Sequence, residues 1–366
     1  MRKYRALLRQ FLQRWRRARA RPASDTVDVV IPVYRGLAET RACIESVLAA
    51  STRTRAEVIV IDDASPEPGM AAWLRGLAAA GRLTLITHAA NGGFVASANE
   101  GLGLHPDRDV VLLNSDTEVA SGWLDRLAAC ARRDPATGTV TPFSTNATIC
   151  SYPRPLVANR IPDGETVASL DATFAAANAG RSADIPTAVG FCMYVTRHCL
   201  ARVGVFDLAR YGEGYGEEVD FCMRAARAGF RNVLAADVFV HHVGEVSFGG
   251  AGAERRLKAQ ATVDALYPEF QQRLAAFVPA DPLRELRRRA DLERLRRVPH
   301  ELARSSAGRF VKLAWERPGE ELALWLDPER DGPGLAAIEH FLADPQAQLP
   351  ELDARWLREP LELGRA

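Results

Sequence analysis

The stretch that decides the fold is Val27–Ser65, VDVVIPVYRGLAETRACIESVLAASTRTRAEVIVIDDAS. Val27 to Val33 is apolar save for Asp28 and closes around Pro32, the pattern of a strand buried on both faces. Leu37 to Ala50 has helical spacing, and Glu57 to Ile61 is a second strand ending in Asp62-Asp63. Outward from this unit the alternation continues with a helix over Met70–Ala80 and a strand at Leu83–Thr87. A glycine-containing turn, a helix at Val95–Leu104 and a strand at Val110–Asn114 complete it. Such spacing predicts an α/β fold, a doubly wound, mostly parallel sheet with helices on both faces. Residues 142–186, rich in Pro, Asn, Thr and Ala, read as loops with a short helix. A second unit follows: strand Ala188–Thr196, helix Arg197–Val203, a Gly/Tyr-rich loop 211–216, helix Glu217–Ala228 and strand Asn232–Val240.

The flanks differ in character. Residues 1–21 carry nine Arg or Lys and no acidic residue, while the whole chain nets only +1. Nucleic acid is therefore not an expected partner. Within 2–19, Tyr4, Leu7, Leu8, Phe11, Leu12 and Trp15 share one helical face. That helix either lies on an anionic membrane surface or docks on its own domain or a partner's. Residues 254–305 are helical and Arg-rich with Asp and Glu interleaved, a solvated face rather than a nucleic-acid site. This region is either an arm for homo-oligomerisation or the start of a second domain. Residues 309–345 suggest a short strand pair and a helix. The expected organisation is a basic helix and linker at 1–24, the α/β domain at 25–250, a helical extension at 251–305 and a small appendage at 306–366.

Six cysteines without a C-x-x-C pair argue against both a disulfide framework and a zinc site. No run approaches the roughly 20 apolar residues that span a bilayer, and the N-terminus lacks the apolar core of a signal peptide. The expected home is cytoplasmic, peripheral to the inner face of the membrane.

Ligands of such sheets bind at the carboxyl ends of the strands. Four polar clusters stand there: Pro32-Val33-Tyr34-Arg35, Asp62-Asp63-Ala64-Ser65, Asn114-Ser115-Asp116, and Glu217-Glu218-Val219-Asp220 with His241-His242 after the next strand. One acidic strand end is an ordinary turn or cap. Several converging on one edge suit a divalent cation bound to a diphosphate.

These segments, with Val29–Tyr34, Asn91-Gly92-Gly93-Phe94, Leu112–Asp116 and Tyr215–Arg224, resemble the family 2 glycosyltransferases, inverting enzymes of the GT-A fold. Within that family the chain is similar to bacterial enzymes that extend O-antigen, cell-wall or other polysaccharides. The resemblance spans 27–118 and 186–248. It implies hexosyl or deoxyhexosyl transfer from a UDP-, dTDP- or GDP-linked donor to a hydroxyl of a glycan or lipid-linked acceptor. It places Pro32 and Tyr34 at the nucleoside, and either Asp62 or Asp63 at the pyrimidine N3–H. Asn91 and Gly93 fall beside the donor sugar and ribose, Asn114 and Ser115 beside the nucleotide. Asp116 and His242 become ligands of Mn²⁺ or Mg²⁺. The base that takes the acceptor's proton falls on Glu218, with Glu217 as the alternative. Asp220 and Arg224, four apart on one helix face, form a supporting pair with Arg224 toward the phosphates. Two other classes compete. A sugar nucleotidyltransferase wants a Gly-rich phosphate loop with Arg and Lys after the first strand, where this chain has Tyr34-Arg35-Gly36-Leu37. A non-catalytic glycan-binding or scaffold subunit predicts a damaged late acidic cluster, which is intact here.

Overall fold

A computed structural model describes residues 24–162, 165–212, 214–244, 252–297, 301–304, 311–314 and 324–326. The helix expected over 2–19 lies outside the described residues, as does the one expected within 309–345.

Strands and helices alternate through the first half: β1 (Thr26–Val33), α1 (Leu37–Ala49), β2 (Arg55–Asp62), α2 (Met70–Ala79), β3 (Thr84–Thr87), α3 (Phe94–Gly103) and β4 (Val110–Leu113). A two-residue strand β5 (Thr117–Glu118), helix α4 (Trp123–Arg132) and strand β6 (Thr137–Phe143) come next. Then follow α5 (Val167–Ala177), β7 (Ser182–Asp184), β8 (Cys192–Val195), α6 (Arg197–Val203), α7 (Leu208–Tyr211), α8 (Glu217–Arg227), β9 (Arg231–Phe239) and β10 (His241–His242). Helices α9 (Gly252–Leu266), α10 (Pro268–Ala280) and α11 (Arg284–Arg297) close this part.

The sheet runs β3-β2-β1-β4-β8-β6-β9-β7. Its first four strands are parallel, as the βαβ spacing requires. β8 then runs antiparallel to both neighbours, β4 and β6, so the second half is mixed. The GT-A-type sheet expected from sequence is present, with helices on both faces.

β1 shows why its run had to be apolar throughout. Val27, Val29, Ile31 and Val33 face one layer with Cys43 and Ile44 of α1 and Trp123 and Leu127 of α4. Val30 faces the other layer, with Val95, Ala98 and Leu102 of α3. There α3 sits so close that a Cβ on Gly101 would lie 2.2 Å from Val30 Cγ1. All six cysteines are buried thiols.

The C-terminal helices share these layers: Val263, Tyr267 and Phe270 join one, Leu283, Leu286 and Ala290 the other. The solvated Arg face expected there needs one correction. Arg287 is only 5% exposed and donates to Asp281 Oδ1 at 2.6 Å, because a buried guanidinium requires a carboxylate. The strand pair expected beyond is Val311–Ala314 with Leu324–Leu326, and Glu301–Arg304 adds a third antiparallel strand. No described helix is long and apolar enough to cross a membrane.

Candidate active site

β1 has β2 and then β3 on one side and β4 on the other. The chain order reverses between β1 and β4, and the carboxyl ends of the strands at such a reversal are where sheets of this kind form a ligand crevice. Tyr34 borders it half-buried, with the Arg35 guanidinium 5.3 Å from the ring centre. The adjacent N-terminus of α1 is already capped by Glu67, whose carboxylate accepts from Gly36 N at 2.7 Å and Leu37 N at 2.8 Å.

Asp62 and Asp63, identical in type, have different surroundings. Asp63 accepts from Gly92 N and Gly93 N, both at 2.8 Å, and meets His88 Nδ1 at 2.7 Å. Asp63 thus clamps the Asn91-Gly92-Gly93 loop to the end of β2. Asp62 Oδ1 accepts only from Ser65 N at 2.9 Å, and Oδ2 has no protein partner among the described residues. Gly93 has to be glycine. Its φ is +85°, and a Cβ there would sit 2.9 Å from the Gly212 carbonyl oxygen.

His88 is a member of this site that no sequence pattern marked. Its Nε2 meets Glu100 Oε2 at 2.7 Å, so one imidazole bridges two carboxylates. Burial opposes its charge, but the hydrogen bonds to Asp63 and Glu100 outweigh burial and raise its pKa above 6.5. For a raised histidine the stabilisation is complete below the unfolded value. It is lost as pH rises through the folded one. Nucleotide affinity should therefore fall as pH rises through that raised value. His88→Gln should lower affinity by roughly tenfold and flatten the profile. Titration calorimetry across pH checks this, and an unchanged profile in the variant would count against the clamp.

Across the crevice, β5 pairs with β10 and sets His242 opposite Thr117, next to Asp116. His242 Nδ1 donates to the Asn146 carbonyl at 2.6 Å. That bond commits Nδ1–H to the carbonyl and leaves Nε2 3.5 Å from Asp116 Oδ1. The ring stacks on Phe191, centroids 5.1 Å apart. Asp116 Oδ2 accepts from Gly244 N at 2.8 Å. Burial pushes the Asp116 pKa up, but His242 and then that amide outweigh it and hold the carboxyl below its ordinary value. An imidazole nitrogen beside a buried carboxylate is a donor set suited to a divalent cation. His241 is turned away and meets Thr145 Oγ1 at 2.7 Å. Asn114 is held by its backbone, donating to the Phe191 carbonyl at 2.8 Å, and Ser115 is buried beside it.

Phe191 links this centre to the late acidic pair. A Cβ on its neighbour Gly190 would lie 3.9 Å from Glu218 Cβ and Cγ. Glu218, half-buried, opens α8 after Tyr215, a non-glycine residue held at φ +66°. Burial raises its pKa, while backbone amides of the first turn partly offset this. Glu217 is only 6% exposed, and its Oε2 has no hydrogen-bond partner among the described residues. Burial, then the charge of Glu218, raise its pKa well above an ordinary carboxyl. Of the pair, Glu217 is the one whose carboxyl holds its proton more strongly.

Asp220 and Arg224 do pair, at 2.8 Å. Arg224 Nη1 and Nη2 donate to the carbonyls of Val203 and Val205, both at 2.9 Å. Asp220 also accepts from Tyr267 OH at 2.6 Å. Three of the five N–H groups of Arg224 are thus spent inside the protein.

A second acidic and imidazole cluster, Asp28, Glu57 and His105, lies at the opposite end of the strands. Asp28 stands five positions before Val33, roughly 16 Å away along β1. Arg108 Nη1 reaches Asp28 at 2.9 Å and Glu57 at 2.5 Å, filling the place a cation would take.

The sheet order and the paired Asp116 and His242 define the class: a GT-A-type fold. Residues 28–161 match the family described as Glycosyl transferase family 2. The solved structure of GalNAc-T7 with UDP, GalNAc and Mn²⁺ is similar at 15% identity with a TM-score of 0.50. The likeness covers 73% of this chain and 55% of that one, so the chain spans about half of that protein's length. It shows a shared fold. The mannosyltransferase PcManGT from Pyrobaculum calidifontis, in complex with GDP-Man and Mn²⁺, is similar at 16% identity and TM-score 0.48, covering 97% of this chain and 93% of that one. No curated protein sequence matches the chain.

Proposed function

We propose that the protein transfers a sugar, with inversion, from a nucleoside diphosphate sugar to a hydroxyl of a glycan or lipid-linked acceptor in polysaccharide biosynthesis, working at the cytoplasmic face of the membrane. The observation that carries this reading is the contiguity of Asp116, His242, Phe191, Gly190 and Glu218 along one wall of the crevice. A group that can bind a cation and a group that can take a proton thus flank one space.

On this reading Tyr34 packs against the nucleoside and Asp62 Oδ2 accepts the base's imide N–H. Asp63 and His88 hold the Asn91–Gly93 loop against the ribose and donor sugar. Asp116 and His242 would hold Mn²⁺ or Mg²⁺, which when bound neutralises charge on the departing diphosphate. Glu218 accepts the acceptor's hydroxyl proton as the oxygen attacks from the face opposite the nucleotide, because a neutral hydroxyl is a poor nucleophile. Glu217, which holds its proton more strongly, keeps a second negative charge out of the acceptor's path.

Binding of UDP-, dTDP- and GDP-sugars with Mn²⁺ tests the donor side. Asp62→Asn should weaken nucleotides with an imide N–H by roughly tenfold, the cost of losing a charged acceptor. Asp63→Asn should weaken every nucleotide alike, since it unpins the loop. Identical, base-independent losses in both variants would remove Asp62 from the base.

A further inference from the structure

Helix α8 presents Glu217 and Glu218 in its first turn, and its N-cap is Gly216, at φ +84° and with no side chain to cap it. A helix end without a cap frays, and a base carried on it would wander. The turn is held instead from two residues further on.

Asp220 is only 3% exposed, and its backbone N–H closes the first helical bond, to the Gly216 carbonyl at 2.9 Å. Both oxygens of its carboxylate are engaged. Arg224 Nε donates to Oδ2 at 2.8 Å, and the same guanidinium is anchored on the carbonyls of Val203 and Val205. Oδ1 accepts from the Tyr267 hydroxyl at 2.6 Å, from 47 positions away in the sequence.

Tyr267 stands between α9 and α10 and is itself fixed, at 4% exposed. The Arg227 guanidinium lies 4.5 Å from its ring centre, donates to the Leu266 carbonyl at 3.1 Å and pairs with Glu269 at 2.6 Å. Burial, then the bond to Asp220, raise the pKa of the phenol, so its proton stays available to the carboxylate. One turn earlier in α9, Val263 presses on the N-cap itself. A Cβ on Gly216 would lie 3.3 Å from Val263 Cγ2. The end of α9 thus holds the first turn of α8 at two points, Gly216 by packing and Asp220 by a charge-assisted bond.

We infer that Tyr267 is a positioning residue for Glu218: through Asp220 it fixes the first turn of α8, and with it the place of the base. The inference rests on the transfer reading above. Apolar packing at Gly216 is non-directional and would let the turn slide, whereas a short bond to a buried carboxylate sets both its height and its rotation. A base displaced by about 1 Å costs as much as 10²-fold in rate. The nucleotide side has separate supports in Asp63 and Asp116, so loss of the brace should leave nucleotide binding intact.

The test removes one oxygen atom. Tyr267→Phe, in the full chain, should bind UDP, dTDP or GDP with Mn²⁺, whichever wild type takes, within about twofold of wild type. Its kcat should fall by about tenfold or more. In the Glu218→Gln background the same change should cost less than about twofold, because the brace has no base left to place. Asp220→Asn weakens the same bond from its other end and should follow Tyr267→Phe in each measurement. Glu269→Gln loosens the same helices at an exposed ion pair and should keep kcat within about twofold. Hydrogen exchange gives a readout without turnover. Residues 216–224 should exchange about tenfold faster in Tyr267→Phe, while β1 and β4 exchange as in wild type.

A lower Tm with kcat intact, or an equal loss of kcat with and without the Glu218 carboxylate, is what a merely structural contact gives, and either overturns the inference. So does unchanged exchange over 216–224. If wild type transfers no sugar from UDP-, dTDP- or GDP-linked donors while exchange responds as expected, the transfer reading fails and the hold of Tyr267 on the α8 turn stands.

Discussion

Glu218→Gln should fold, bind nucleotide and Mn²⁺ as wild type does, and lose turnover by about 10²–10⁴-fold, the usual contribution of a general base. The loss should fall on kcat, because the carboxylate acts on the proton that leaves as the new bond forms. Glu217→Gln is the contrast. Burial and the charge of Glu218 already favour its protonated form, so an amide of the same shape is a mild change there. Turnover should stay within about threefold of wild type. The pH profile offers a second check. Burial raises the Glu218 pKa, so the acid limb of kcat should lie above the ordinary glutamate value of 4.5, and the base should be fully active only above its raised value. Near-normal turnover in Glu218→Gln together with collapse in Glu217→Gln would shift the base by one residue. Near-normal turnover in both would take the pair out of the chemistry.

The fold was legible wherever both faces of a strand had to be apolar. β1 and β2 declared themselves because Val29 and Ile31 serve one layer and Val30 the other. Helix α4 and strand β6 went unmarked, since the run TGTVTPF of β6 has too few large apolar residues to stand out. The reversed direction of β8 was equally hidden. Cys192–Val195 is buried on every side chain, and a fully buried four-residue run shows no direction.

At the site, polar clusters after strands were readable as clusters, but not how their members divide the work. Nothing in the pair Asp62-Asp63 says which one holds the glycine loop; two glycine amides and His88 show that it is Asp63. His88 itself joins residues 25 and 12 positions away, separations that no local periodicity records. The bonds of Arg224 to Val203 and Val205 were hidden because their acceptors are backbone carbonyls, and carbonyls leave no trace in a sequence.

Removing the metal should have the other large effect. EDTA should abolish transfer and Mn²⁺ or Mg²⁺ should restore it. Asp116→Ala should weaken nucleotide binding by about 10²-fold or more with Mn²⁺ present, roughly what loss of a coordinating carboxylate and its second-shell order costs, yet change little in EDTA. The geometry allows a rival account, in which a protonated His242 forms an ion pair with Asp116 across 3.5 Å and no cation is needed. The two accounts separate on stability. If the residues are an ion pair, His242→Ala strands a carboxylate that is only 8% exposed, and the variant loses stability equally with and without metal. If they are ligands, Mn²⁺ binds the folded protein alone and raises the Tm of wild type by mass action. That increment should vanish in both Asp116→Ala and His242→Ala. A wild-type Tm indifferent to Mn²⁺, or full turnover in EDTA, would leave Asp116 and His242 as a structural pair and move the charge on the leaving diphosphate to other groups.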